Sequence, residues 1–370
     1  MRKSRRKIWS LLHQVPGLAA GFILVLVGLT GSCLVFDHRL DEWLNPKILT
    51  SGKTGPHRPL DEIVASARKA FPSATPYIFL HMPRKDDGVF IVQLQVPEKN
   101  KPLHLVEVMV EPATARVLGS RIKGEDIISI VYDLHWRLLL GDTGRVLVGV
   151  LGILMVFSMA TGLILWWPAP GRWKRALRFA RQPGSKRLNF DRHRLSGVYT
   201  APALFVVLFS GIAMNLPQLV EPVVEWFSPI TYVYPEHLRS SVRNGVQPIS
   251  VGTAVKIART VFPSAELKFA VAPEKADGFF QATFRSPGEV RKASGSSRVF
   301  LDQYSGEILL IQDPGNMTAG DVFLEWQFPL HNGEAFSLPG RIFVCLLGLV
   351  PLVLYLTGLR LWKNQLKRGT

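Results

Sequence analysis

Four long apolar runs, at about Val15–Phe36, Val146–Trp167, Gly197–Leu216 and Arg341–Trp362, decide what this chain can fold into. Each is close to the roughly 20 residues that cross about 30 Å of hydrocarbon at about 1.5 Å per residue. A segment in lipid must satisfy its own backbone polar groups, so each run is read as a spanning helix. With 47% apolar residues in 370 and a mean hydropathy of +0.17, the chain reads as a membrane protein with four spans.

The net charge of +16 raises the question of nucleic acid, and its distribution answers it. Arg2, Lys3, Arg5, Arg6 and Lys7 precede the first run. Nine bases, Arg172, Lys174, Arg175, Arg178, Arg181, Lys186, Arg187, Arg192 and Arg194, lie between the second and third runs with one acid, Asp191. Arg360, Lys363, Lys367 and Arg368 follow the fourth run. The remaining 26 bases face 27 acids, so the whole excess sits on one side of the spans. Lys and Arg in short loops mark the cytoplasmic side, which predicts cytoplasmic termini, two external segments and no nucleic-acid role. The first run exceeds the length of a signal-peptide core and lacks an A-x-A site, so it is expected to remain as a span. "LTGSC", residues 29–33, has Thr where a lipoprotein box has Leu and is read as a chance likeness. Cys33 and Cys345 fall inside spans with no CxxC, so they are expected to be small buried apolar residues rather than a disulfide.

The chain repeats itself. "ARKAFPSA" at 67–74 returns as "ARTVFPSA" at 258–265, and "VEPATARVL" at 110–118 as "LDQYSGEIL" at 301–309. "DLHWRLLLGDTGR" leads to "TGLILWW", and "PLHNGEAFSLPGR" to "TGLRLW". His13 before "PGLAAG" matches His193 before "SGVYTA", Gly31 matches Gly211, and "DEWLNP" is echoed by "VEWFSP". Each half is therefore helix, external domain, helix. Within the first external domain, Leu60, Ile63, Val64, Ala67 and Phe71 share a helical face, and "GVFIVQLQV" and "LHLVEVMV" alternate as strands. The expectation is one helix on a small antiparallel sheet in each half, with a different turn type where Ala115 replaces Gly306.

The resulting fold class is an α+β membrane protein: residues 1–36 form the N-terminus and first span, 37–134 the first external domain, 135–167 the second span with its histidine segment. Residues 168–192 form the basic loop, 193–216 the third span, 217–330 the second external domain, and 331–370 the fourth span and C-terminus.

Of nine histidines, four sit at matching span mouths: His13 and His193 at the basic side, His135 and His331 at the other. Ionisable groups at membrane depth are costly and become functional candidates when partners are at hand. Two neutral imidazoles facing across a bundle can take both axial positions of a haem iron, with apolar helices enclosing the macrocycle. One haem near each face, with irons on the order of 20 Å apart, would serve electron transfer across the membrane. His38 breaks the symmetry and has three readings: a competing ligand, part of a substrate site, or a headgroup-level residue. His57, His81, His104 and His237 lack metal-ligand spacing. Trp43, Trp136, Trp226 and Trp326, and Trp166, Trp167 and Trp362, are read as interfacial belts. No Cys-x-x-Cys-His, G-x-G-x-x-G or Walker A sequence occurs, so attachment is non-covalent and the electrons are borrowed.

The paired spans, the "AFPSA" helix ends, the "LDQYSGEIL" turn and the "TGL" helix ends resemble the PepSY-associated transmembrane helix family of bacterial inner-membrane proteins, over roughly residues 8–363. Within it the chain is most similar to the ferric-siderophore reductases, which act on ferrioxamine-like chelates. The resemblance implies PepSY-like external domains, two bound haems of the b type, and reduction of periplasmic ferric siderophores. The ligands would be His13, His193, His135 and His331, and the electron donor a quinol, a flavin or a cytoplasmic reductase, with membrane lipid around the spans. Two other classes are weighed: a non-redox binding or regulatory protein, which has no need of boundary histidines, and an iron or siderophore transporter. A transporter needs a polar path, and the spans hold few polar residues beyond Ser158, Thr161, Ser210 and Thr357.

Overall fold

The computed structural model describes residues 3–53, 55–97, 103–180, 184–243 and 245–369. Arg2 and Arg181 of the basic segments lie outside them. The first half runs α1 (Lys3–Ala19), α2 (Gly21–Leu34), α3 (Asp37–Leu44), α4 (Pro46–Leu49), α5 (Leu60–Ala70), β1 (Ile78–His81), β2 (Phe90–Val96), β3 (His104–Val110), β4 (Val117–Ile122), α6 (Ile127–Arg137) and α7 (Gly141–Trp166). After α8 (Trp173–Ala176), the second half runs α9 (Ser185–Asn215), α10 (Pro217–Glu225), α11 (Val251–Arg259), β5 (Glu266–Ala272), β6 (Phe279–Arg285), β7 (Ser297–Asp302), β8 (Ile308–Gln312), α12 (Ala319–Glu325), α13 (Gln327–Asn332), α14 (Ser337–Leu347) and α15 (Val350–Gly369).

These elements form two compact units. One comprises residues 1–36, 130–223 and 326–370, the other residues 37–129 and 224–325.

The first unit is a helix bundle. Among the described residues, Gly141–Trp166, Ser185–Asn215 and Glu334–Leu366 are each long and apolar enough to cross a membrane. The expected first span is not one straight helix: α1 and α2 meet at a 55° bend and are long and apolar enough to cross only together. Pro16 inside α1 cannot donate to the turn before it, and Gly17 and Gly21 flank the break, which accounts for the bend. Close packing falls on small residues. Cβ atoms at Gly149 and Gly152 of α7 would meet Leu216 and Ile212, and one at Gly28 would meet the carbonyl of Gly348 at 2.5 Å. Cys33 is exposed on the bundle surface instead of buried, and Cys345 is half-buried. A thiol behaves as a small hydrophobe, so facing lipid costs it nothing.

The matched Gly-Arg pairs fasten the two halves of this bundle together. Arg145 donates through Nη1 to the carbonyl of Asn215 at 2.6 Å, and Arg341 through Nε to that of Val35 at 3.0 Å. Each caps a helix end in the other half, where the last carbonyls have no partner within the helix.

The second unit holds one sheet, not the expected two. All eight strands are antiparallel in the order β4-β3-β2-β1-β5-β6-β7-β8. The halves join where Ile78, Phe79, Leu80 and His81 face Ala272, Val271, Ala270 and Phe269. A four-stranded sheet would leave β1 and β5 as open edges, and pairing them removes both. Ile63, Val64 and Ala67 of α5, with Ala254, Val255 and Ala258 of α11, pack on one sheet face over Leu80, Phe90, Phe284 and Val299. Asp61 accepts from the backbone N–H of Gly252 at 2.8 Å and from Ser250 Oγ at 2.9 Å, tying α5 to the start of α11. The turns at Ala115 and Gly306 are alike, contrary to expectation. Both residues are left-handed, with φ 55° and 74°, and each N–H reaches the carbonyl four residues earlier.

Asp321 is a buried carboxylate that collects the segment before α11. It accepts from Thr231 Oγ1 at 2.7 Å and from the backbone N–H groups of Thr231, Tyr232 and Thr318 at 2.8 to 3.0 Å. Burial pushes its pKa up, but these donors outweigh burial and hold it at about 2. A carboxyl depressed in the fold stabilises above its unfolded pKa of about 4, and that stability is lost as pH falls through the folded value. Asp321→Asn is therefore expected to cost about 1–3 kcal/mol at neutral pH. The gap in Tm between wild type and variant, followed by thermal scanning, should close between about pH 4 and pH 2.

Candidate functional site

The bundle brings the four boundary histidines together in two pairs. The ring centres of His13 and His193 lie 6.0 Å apart with planes at 72°, and those of His135 and His331 lie 6.0 Å apart at 59°. Each pair joins the two halves of the chain. All four rings are half-buried.

One nitrogen of each ring is committed to backbone. His13 Nδ1 lies 2.8 Å from the carbonyl of Ser158, and His135 Nδ1 lies 2.9 Å from that of Val27. His193 Nδ1 lies 3.1 Å from the carbonyl of Leu354, and His331 Nδ1 lies 3.0 Å from that of Val207. A carbonyl only accepts, so Nδ1 carries a proton in every case, and in a neutral ring the lone pair is then on Nε2. This is how a second interaction fixes the tautomer and aim of a ligating imidazole. Two imidazoles sharing one metal centre through Nε2, at about 2 Å each, have ring centres roughly 6 Å apart. Both pairs satisfy that spacing.

The carbonyls follow a rule that sequence reasoning missed. Each lies four residues before a glycine: Val27 before Gly31, Ser158 before Gly162, Val207 before Gly211 and Leu354 before Gly358. Each glycine lies against the Cε1 edge of the same ring. A Ser or Thr precedes every one of these glycines, so "LTGSC", whose likeness to a lipoprotein box is read as chance, contains one of four equivalent steps. Of the sparse polar residues of the spans, Thr161, Ser210 and Thr357 belong to the same set, and Ser158 supplies one of the carbonyls. The repeated "TGL" endings were the available signal.

The remaining histidines belong to the sheet unit. His38 is exposed in the first turn of α3, in the sheet unit, with Nδ1 3.6 Å from Asp37 Oδ2. His81, on β1, stacks on Phe79 at 4.2 Å, and its pKa is pushed down to about 3 by burial and then by Arg84 and Lys123. His57 packs edge-on to Phe90. Among the described residues no three of His, Cys, Asp and Glu converge as a metal-ion cluster, and the boundary histidines come in twos. Of the expected belt residues, Trp43 and Trp226 are strongly exposed, and Trp166 and Trp167 cluster with Trp173.

A family model described as "PepSY-associated TM region" matches residues 10–365. The chain belongs to this family. Over 92 residues it is also 30% identical to an uncharacterized protein of Pseudomonas aeruginosa, the match covering 25% of this chain and 23% of that protein. The stretch shared with this curated relative is thus about a quarter of either chain. Family membership and the apolar helices together make this a membrane protein.

Proposed function

We propose that the chain is a bacterial inner-membrane di-haem reductase that passes electrons across the bilayer to a ferric siderophore. His13 and His193 would hold one b-type haem, and His135 and His331 a second. The observation that carries this reading is the doubled histidine pair: two half-buried rings at 6.0 Å, each with Nδ1 tied to a carbonyl, occurring twice. Held by these four histidines, haem would supply one-electron chemistry that needs no proton or hydride transfer. The chain's own work is to keep four imidazoles neutral, aimed and walled by apolar helices.

The acceptor follows from the resemblance to ferric-siderophore reductases. Hydroxamate-type oxygens suit hard ferric iron better than ferrous, so adding one electron weakens the chelate and frees the metal. No general acid or base is required. The donor would be a quinol, a flavin or a cytoplasmic reductase, on the side marked by the basic segments. A reporter inserted near Gln182, a position outside the described residues, should register cytoplasm, and one near Asn100 or Asn244, also outside them, periplasm. Periplasmic activity at Gln182 would overturn this topology.

Purified protein should be red, with about two b-type haems per chain. His13→Ala and His193→Ala should each deplete one spectral component, and His135→Ala and His331→Ala the other. If His13→Ala and His135→Ala deplete the same component, the pairing is wrong. A colourless wild type would return the chain to the non-redox classes.

Chemically reduced protein should be reoxidised by a ferric hydroxamate siderophore, with ferrous iron trapped by a colorimetric chelator. His331→Ala should slow this step severely, whereas His193→Ala should spare it and impair electron supply from the cytoplasmic face of vesicles. Equally fast reoxidation in the His331 variant would contradict the proposed route.

A further inference from the structure

Each spanning helix carries one Ser/Thr–Gly pair against which a histidine of the same half is seated. His13 of α1 rests on Thr161–Gly162 of α7, and His135 of α6 rests on Thr30–Gly31 of α2. His193 of α9 rests on Thr357–Gly358 of α15, and His331 of α13 on Ser210–Gly211 of α9. The glycine is a matter of space. A Cβ at Gly31 would lie 2.7 Å from His135 Cε1, one at Gly162 2.9 Å from His13 Cε1, and one at Gly211 or Gly358 3.2 Å from its ring. The ring edge occupies the volume a side chain would fill.

The hydroxyl is a matter of proton bookkeeping. Thr357 Oγ1 donates its hydrogen to the carbonyl of Val353 at 2.6 Å, which leaves its lone pairs toward His193 Nδ1 at 3.0 Å. Ser210 Oγ donates to Val206 at 2.7 Å and faces His331 Nδ1 at 3.0 Å. Thr30 Oγ1 donates to Leu26 at 2.8 Å and faces His135 Nδ1 at 3.3 Å. In these three seats Nδ1–H is shared between a carbonyl and a hydroxyl oxygen, both acting as acceptors. The His13 seat differs. Thr161 Oγ1 donates to the carbonyl of Ser158 at 2.8 Å, and the hydroxyl near His13 Nδ1 is that of Ser158, at 3.4 Å.

We propose that these four Ser/Thr–Gly pairs are positioning residues. The glycine admits the imidazole edge, and the carbonyl one turn earlier, reinforced by the pair's own hydroxyl at Thr30, Ser210 and Thr357, holds the ring in its Nδ1–H form with Nε2 available to a metal centre. Acceptors on Nδ1–H make Nε2 a stronger donor and favour the ferric state, so the seat also sets ligand strength. This inference rests on the proposed haem sites for its redox consequence, but not for the tautomer.

The test uses the full chain with Thr357→Val, Thr357→Ser and Gly358→Val. In haem-free protein labelled with ¹⁵N-histidine, solid-state NMR should show His193 as the Nδ1–H tautomer, with weaker hydrogen bonding at Nδ1 in Thr357→Val and recovery in Thr357→Ser. In haem-loaded protein, redox titration should show the midpoint potential of one component shifted upward in Thr357→Val and restored in Thr357→Ser, at unchanged haem content. Gly358→Val should weaken that component's haem binding by about 10–100-fold and leave the other intact. An Nε2–H tautomer at His193 in the wild type overturns the seat. So does a Thr357→Val midpoint potential equal to that of wild type. Absence of haem from the wild type would sink the functional reading alone, because the tautomer is read without haem.

Discussion

The bundle depends on one hydrogen bond made four times, from a histidine Nδ1–H to a carbonyl one turn before a glycine on a neighbouring helix. Within each half the exchange is reciprocal: the histidine of one span is seated on the other span, and the histidine leading into that second span is seated on the first. A buried carbonyl with its helix bond already made still has a lone pair to offer. A neutral imidazole with one nitrogen so engaged carries little desolvation cost at membrane depth. Two seated rings from opposite halves then meet at 6.0 Å. Arg145 and Arg341 close the same cross-half junction by capping Asn215 and Val35.

Duplication gives this arrangement its economy. A single half has two seated histidines that do not face each other, and pairing requires the second copy. The sheet unit follows the same logic, since β1 and β5 are open edges until they bond to one another. The proposed haems would use all four rings matched in this way, which a non-redox binding role does not need.

Much of this was legible in the residues. Apolar length identified the membrane segments, helical spacing identified α5, alternation identified β2 and β3, and the repeat paired His13 with His193 and His135 with His331. What escaped has physical reasons. The α1–α2 bend depends on Pro16 acting within a run whose hydropathy is unbroken. Edge pairing of β1 with β5 is a long-range contact with no local signature. Ala115 adopts the left-handed turn of Gly306 because the turn's hydrogen bond and the surrounding core over-determine it. Cys33 faces outward because in lipid an apolar exterior is no penalty. Thr30–Gly31 could not be told from an ordinary small-residue step until the ring of His135 was seen against it.

The most direct test of the account is X-ray absorption at the iron edge of the wild-type protein as purified. If each histidine pair ligates a haem, the iron would show a shell of about six nitrogens, with no sulfur and no open position. A five-coordinate or sulfur-containing shell, or protein free of iron, would contradict the doubled histidine pair as a haem site.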